Sequence, residues 1–499
     1  MTPNSYDQVP YASVPFAQTH PDRLATIAAI FGVAHRPLAD CRVLELGCAA
    51  GGNLIPLAEQ LPGAELVGVD LSPVQIDEGR RTCAALGLDR VRLVAGSIAE
   101  IDDSWGGFDF IICHGVYSWV PPTIQQAILN VCRSRLRPQG IAYISYNTLP
   151  GWHWRAPVRD LMRQHALGFE SPEERIAQAR AILNFLGEAV PAGQGARAAL
   201  LHDEIGRVQR ESDAYLYHEH LEADNEPLYF REFVRRAGDS GLKFLAESDF
   251  RSMVTDDLPP QTVAAIQRAA PGIIEHEQLL DFIRQRSFRQ TLLIHDGVRV
   301  ERRVPLGRID GLRISNGLVS KTPELDLGEI QPEEFVGPEG DSLVGTSPLS
   351  RSAMRVLAER WPENLAWPEL LALASERVDL RRNERAAAVD LLRADLLKGF
   401  GLGLIGLHSL PAACTATPGD QPCASRLAQH QAGHGSVVTT LRHRQVTLDD
   451  AARALLFWAD GSRDRATLHA LWQERFPDQA GHAFAAALAT LVRQGLLKG

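Results

Sequence analysis

What this chain lacks removes several classes of protein. No apolar run reaches the about 20 residues that a membrane-spanning helix needs. The first residues, MTPNSYDQVPYASVPF, show no basic stretch followed by an apolar core, so a secretory signal is not expected. There is no CxxC pair, and the seven cysteines are odd in number, which speaks against a disulfide framework and for reduced thiols in the cytoplasm. Against a net charge of −10 no long basic run stands out, so nucleic acid is not an expected partner. The 499 residues are otherwise those of an ordinary globular protein of two to four domains.

From residue 22 the chain alternates between strand and helix patterns. A short helix over 22–32 follows Pro21 and stops at Gly32. The runs at 41–47, 65–71, 91–96, 108–115 and 141–147 read as strands. Helices are predicted over 51–63, 72–88 and 121–140, the second with Ser72 as N-cap and Pro73 in first position. This order predicts an α/β fold, a Rossmann-like parallel sheet with helices on both faces, over 1–150. The alternation then breaks into helical segments over 151–226. A helix, turn and strand at 227–250 and a strand at 288–297 follow, so 227–300 is expected to complete the sheet, with 151–226 as a helical insertion; a separate helical domain is the alternative. Residues 301–345 read as a β-rich connector. Segments 348–376 and 447–475 resemble each other in spacing, and each is followed by a helix ending in LLKG. Two winged-helix-like units, 346–407 and 447–499, are expected, joined by a Pro-, Gly- and His-rich linker over 408–446.

The chemistry begins at Glu45-Leu46-Gly47-Cys48-Ala49-Ala50-Gly51-Gly52-Asn53, between the first strand and the first helix. Small residues let the backbone approach a ligand, and the helix start offers free N–H groups to a carboxylate. The loop is not the dinucleotide GxGxxG. It fits the methyltransferase pattern of an acidic residue followed by GxGxG, with Ala49 in place of the middle glycine. Asp70 ends the next strand, 25 residues after Glu45, where a carboxylate accepts ribose hydroxyls; Leu71 follows it. Ser97 and Ile98, after the third strand, are expected to flank adenine. His114 ends the fourth strand, facing the sulfonium. The expected cofactor is S-adenosyl-L-methionine, held by Glu45, Gly47, Ala49, Gly51, Asn53, Asp70, Leu71, Ser97, Ile98 and His114.

Several irregular strings resemble the bacterial methyltransferases that carry a methyltransferase regulatory domain: YDQVPYASVPFAQTHPDRL, LELGCAAGGNLIPLA, FDFIICHGVYSWVPP, ISYNTLPGWH, YLYHEHLEADNEPLYFREF and EQLLDFIRQRSFRQTLL. The rickettsial protein lysine methyltransferases are similar in architecture. The resemblance, over most of residues 5–300, implies a protein lysine as acceptor.

An amine acceptor calls for aromatic walls, oxygen acceptors and a base. The ends of strands four and five supply His114, Tyr117, Trp119, Tyr146, Asn147, Trp152 and His153. Of these, His114, Tyr117, Trp119 and Asn147 are the catalytic candidates, and His114 reads equally as base or as structural donor. No NPPY-type string follows strand four, which argues against adenine and amide nitrogens. Tyr11, Gln18, Thr19 and His20 are candidates for a lid. His218-Glu219-His220 with Glu222 has the wrong helical spacing for a metal, and none is expected. The predicted function is methyl transfer to a protein substrate, with a small-molecule N- or O-methyltransferase or a non-catalytic cofactor-binding regulator as alternatives. The extra domains would shape a cleft or mediate homodimerisation.

Overall fold

The computed structural model describes residues 5–9, 13–191, 193, 195–328, 331–478 and 482–499. After a short helix α1 (Ser5–Gln8), the chain forms α2 (Pro21–Ile30), β1 (Arg42–Leu46), α3 (Leu57–Gln60), β2 (Glu65–Asp70), α4 (Pro73–Leu86), β3 (Val91–Ala95), β4 (Phe108–Cys113), α5 (Pro122–Arg135) and β5 (Leu136–Asn147). Four helices follow: α6 (Trp152–Ala166), α7 (Pro172–Ala189), α8 (Ala196–Gln209) and α9 (Asp213–Leu216), the last running into a π-helical turn at Tyr217–Leu221. Then come α10 (Phe230–Asp239), β6 (Leu242–Glu247), α11 (Pro260–Ala269), α12 (Ile273–Arg284) and β7 (Phe288–His295).

These seven strands make one sheet in the order β3-β2-β1-β4-β5-β7-β6. The first five are parallel, and β7 pairs antiparallel with both β5 and β6. The two strands that follow the helical segment thus join the sheet beside β5, at its far edge. Side-chain alternation separates two cores, as a two-faced sheet requires: Ile141 and Tyr143 lie in one, Ala142, Ile144 and Tyr146 in the other. The strand order reverses between β1 and β4, so a crevice opens at their carboxyl ends.

Two expectations change locally. Only Leu57–Gln60 of 51–63 is α-helical, because Pro56 stands at its N-cap and the residues before it form turns. The fifth helix stops at Arg135, not at 140. Pro138 and Gly140 belong instead to the start of β5, where pairing jumps from Phe108–Leu136 to Phe110–Ile141 and lets the proline bulge out.

β6 and β7 are tied to α12 by a buried charge cluster. Arg289, fully buried, donates to Glu247 Oε1 at 2.7 Å, to Asp281 at 3.0 and 2.8 Å, and to Glu277 Oε2 at 3.2 Å. Its guanidinium lies 3.8 Å from the Phe230 ring centre.

The C-terminal third starts with β8 (Arg313–Ser315), β9 (Val319–Ser320), β10 (Glu333–Val336) and β11 (Ser342–Gly345). A helical unit follows: α13 (Pro348–Glu359), β12 (Leu365–Ala366), α14 (Trp367–Ser375), α15 (Arg385–Gly401) and β13 (Gly406–His408). β8 pairs between β12 and β13, so the residues expected as a connector supply the middle strand of the first winged-helix-like unit. Its apolar residues, such as Leu349, Leu357 and Leu407, belong to the same continuous core as Leu24 and Val43. The second unit holds α16 (Arg426–Ala432), β14 (Val437–Thr439), β15 (Gln445–Thr447), α17 (Asp450–Trp458), α18 (Arg465–Arg475) and α19 (His482–Arg493) around its own core. The expected linker over 408–446 is therefore corrected. It contains α16 and a β-hairpin, with Leu427, Ala428 and Val438 buried, because the polar and small residues cover alternating apolar ones. No helix among the described residues is long and apolar enough to cross a membrane. All seven cysteines are unpaired.

Candidate active site

At the end of β1 the chain turns through three residues in the left-handed region: Gly47 at φ 75°, Ala49 at 49° and Gly51 at 76°. Glycine adopts this conformation freely; Ala49 does so at a cost of about 1–2 kcal/mol. Asp70 offsets that strain. Its Oδ2 accepts the Ala49 N–H at 2.8 Å, and its Oδ1 accepts the Ser72 N–H at 2.9 Å. The loop also packs on the turn after β4, where a Cβ at Gly47 would meet Val116 Cγ2 at 2.4 Å. Burial raises the Asp70 carboxyl above its usual range. An ionised carboxylate has about four acceptor positions, so capacity remains for a ligand. Beside it Leu71 is 63% exposed, an apolar side chain left open to a flat ligand.

Glu45 lies beneath the loop. Its Oε1 accepts from Asn53 Nδ2 at 2.7 Å, while Oε2 is buried with no hydrogen-bond partner among the described residues. Burial, with Asp70 nearby, pushes its pKa up to about 8. Asn53, expected among the cofactor contacts, is instead 3% exposed and spends its amide on protein groups. Ser97 is also redirected: its hydroxyl caps the 3-10 turn at Ile98–Glu100, and Ile98 packs into the core.

The N-terminal segment straps the loop. Gly52 N–H donates to Ser13 Oγ at 2.7 Å, and Phe16 N–H donates to Asn53 Oδ1 at 2.8 Å. Gln18 accepts from Ser248, Thr19 is buried against Asn53, and His20 Nε2 reaches Gln60 Oε1 at 2.7 Å. Residues 18–20 of the expected lid are thus anchored; Tyr11 lies outside the described residues.

On the other side of the crevice, the His114 ring centre is 3.9 Å from that of Phe16, and its Nδ1 is 2.8 Å from Tyr143 OH. Burial lowers its pKa to about 4, so the ring is neutral at pH 7. Trp119 meets Trp152 edge-on at 6.2 Å, with Arg159 6.0 Å from Trp119. Two expected acceptor contacts are corrected. Tyr117 is fully buried against Phe233 (5.3 Å between ring centres), so its phenol belongs to the core below the crevice. Asn147 is buried, and its Nδ2 donates to Asn225 Oδ1 at 2.9 Å, tying the sheet to the loop after the helical segment. Tyr146 is likewise buried, stacked on Phe233.

Two further groups take places that the sequence reading did not assign to them. The π-helical turn carries Glu219, pushed up to about 7 by burial despite Arg155, Arg207 and Arg159, and His220, whose two ring nitrogens are buried without hydrogen-bond partners among the described residues. Arg159 joins this turn to Trp119 by donating to the Glu219 and Glu222 carbonyls at 3.4 and 2.6 Å. Among the described residues no cluster of His, Cys, Asp or Glu could hold a metal ion. The other group, His443, comes from the segment read as linker, and its Nε2 is 2.8 Å from Asn53 Oδ1.

A seven-stranded Rossmann-like sheet with an acidic residue, a small-residue loop and an aspartate at the second strand's end defines a class of enzyme, the methyltransferases. Residues 43–140 match the model described as "Methyltransferase domain", 212–295 "Predicted methyltransferase regulatory domain", and 420–483 "PKMT, C-terminal winged helix domain". Uncharacterized protein RP789 of Rickettsia prowazekii (strain Madrid E) is 36% identical over 472 residues, 93% of this chain and 85% of that protein. Uncharacterized protein RP028 of the same organism is 39% identical over 241 residues, 48% of this chain and 96% of that protein. The solved structure of PKMT2 from Rickettsia typhi in complex with AdoHcy superposes with a TM-score of 0.89 at 28% identity, covering 98% of this chain and 100% of that one. The chain belongs to the bacterial methyltransferase family that combines these catalytic, regulatory and winged-helix domains.

Proposed function

We propose that this S-adenosylmethionine-dependent methyltransferase acts on a protein, at the amine of a lysine side chain. The observation that carries the reading is the likeness to PKMT2, which covers 98% of this chain. The loop's residues fit the cofactor. Asp70 retains acceptor capacity for ribose hydroxyls, Leu71 offers an apolar face, and Glu45 Oε2, without a partner among the described residues, suits an ammonium. Bound there, S-adenosylmethionine supplies an electrophilic methyl group.

The chain's own task is then to present an unprotonated amine in line. A free lysine has a pKa of about 10.4, and His114 sits near 4, so transfer of its proton to His114 is uphill by roughly 9 kcal/mol. His114 therefore acts as a neutral wall and hydrogen-bonding group, not as the base. Glu219, on the π-helical turn that Arg159 ties to Trp119 and with a value near 7, is the better matched acceptor of that proton. Trp119, backed edge-on by the buried Trp152, supplies the aromatic side of the acceptor channel. The test is incubation with methyl-labelled S-adenosylmethionine and a bacterial lysate. Label on protein, released as methyl-lysine on hydrolysis, supports the reading. Label on a small molecule, or on nothing, overturns it in favour of a small-molecule enzyme or a cofactor-binding regulator.

A further inference from the structure

Asn53 is the meeting point of three distant parts of the chain. Its Nδ2 donates to Glu45 Oε1 at 2.7 Å. Its Oδ1 accepts from Phe16 N–H in the N-terminal strap at 2.8 Å, and His443 Nε2 lies 2.8 Å from the same oxygen. Because a backbone N–H already marks that atom as an acceptor, His443 Nε2 carries its proton and Nδ1 is bare.

His443 sits between β14 and β15, at the tip of the C-terminal unit's β-hairpin, here called the wing. Three features separate it from an ordinary turn residue. It is 1% exposed, its backbone is left-handed at φ 57°, and its Nδ1 is buried with no hydrogen-bond partner among the described residues. Each is unfavourable alone, and together they hold one ring N–H against the Asn53 carbonyl. The wing is braced for this. Arg442 donates to the Pro362 carbonyl at 2.7 Å and lies 4.1 Å from the Trp361 ring centre. Six residues beyond Asn53, Glu59 accepts from Arg426 N–H at 2.9 Å, at the start of α16, and from Lys498 Nζ at 2.8 Å. The C-terminal unit therefore docks on the segment that carries the cofactor loop.

We propose that His443 is a positioning residue of the cofactor site: from the wing tip it fixes the rotation of the Asn53 amide, which in turn holds Glu45, so that cofactor affinity depends on the docked wing. This rests on the reading of residues 45–53 and Asp70 as the S-adenosylmethionine site. The physical reason is that an amide is nearly symmetric in shape. Phe16 N–H, His443 Nε2–H and the Thr19 hydroxyl at 3.1 Å meet its oxygen and turn it away from Glu45, with its NH2 toward the carboxyl. With the His443 donor removed, the amide is freer to flip, and a flipped amide sets its oxygen against the ionised Glu45 carboxylate that goes with bound cofactor. Coupling of this kind is reciprocal, so bound cofactor must also tighten the wing.

The test uses full-length variants and S-adenosylhomocysteine as probe, by calorimetry, with circular dichroism as the check of folding. His443→Ala is expected to weaken binding about ten-fold and to raise the KM for S-adenosylmethionine with kcat at saturation nearly unchanged. His443→Gln, which keeps a donor at similar reach, is expected to recover most of the loss; a purely space-filling role would leave the two variants alike. Hydrogen exchange gives a measurement that needs no variant. The wing amides at 437–447 should exchange more slowly with S-adenosylhomocysteine bound. Wild-type binding that Asp70→Ala abolishes and His443→Ala leaves within two-fold overturns this inference alone, as does unchanged exchange in the wing. Failure of the wild type to bind, or of Asp70→Ala to weaken binding, overturns the site reading and the inference with it.

Discussion

Cofactor binding should expel a proton from Glu45. With a pKa of about 8 in the cofactor-free protein, this carboxyl is about nine-tenths protonated at pH 7. Its buried Oε2 has no partner among the described residues, so at pH 7 ionisation is favoured when a positive group arrives. An ammonium docked there favours the ionised form, and about 0.9 proton per bound cofactor is released at pH 7. The release falls below about half above pH 8, where Glu45 is already ionised. Isothermal calorimetry of S-adenosylhomocysteine in buffers of different ionisation enthalpy reads the number directly, and Glu45→Gln should reduce it to near zero. A buffer-independent enthalpy in the wild type, or the same release in the variant, would refute the reasoning. The stability of the cofactor-free protein gives an independent check of sign. A raised carboxyl pKa contributes stability that is complete below its ordinary 4.5 and is lost as pH rises toward about 8. The wild type should therefore lose up to about 1.4 kcal/mol per pH unit relative to Glu45→Gln across that window, and nothing further above it.

Asp70→Ala removes the ribose acceptor and also the brace under the left-handed Ala49, so calorimetry should show binding weaker by at least about 100-fold; unchanged affinity would exclude the ribose role. For Glu219→Gln, kcat should fall and the acid limb of the pH–rate profile near 7 should disappear, because the base works only when ionised. A profile identical to wild type would remove Glu219 from the chemistry. Arg289→Ala leaves Glu247, Glu277 and Asp281 buried with too little positive charge, and chemical denaturation should show a loss of about 3–5 kcal/mol or failure to fold; a loss under about 1 kcal/mol would show that the cluster is relaxed by water.

The sheet was legible because its signals are local. Val43 and Leu44 are apolar neighbours in a short run, Ser72 and Pro73 announce α4, and the small residues of 47–52 stand where a strand must turn into a ligand loop. Position 49 could be read as a small residue; that it is left-handed and braced by Asp70 could not. The Pro138–Gly140 stretch, inside the helix predicted over 121–140, lies instead in β5, because a β-bulge depends on the partner strand, Phe108–Phe110.

By itself, then, the sequence determined the order of strands and helices, the acidic and glycine positions of the loop, and the family, because these rest on contacts within a few residues. The tertiary structure decided which side chains face the crevice. It buried Tyr117, committed Asn147 to Asn225, and made Asn53 an anchor shared by residues 16, 45 and 443. No periodicity in the chain encodes a hydrogen bond between partners 390 residues apart. Such a bond exists only once the wing has packed against the core that the first strands build.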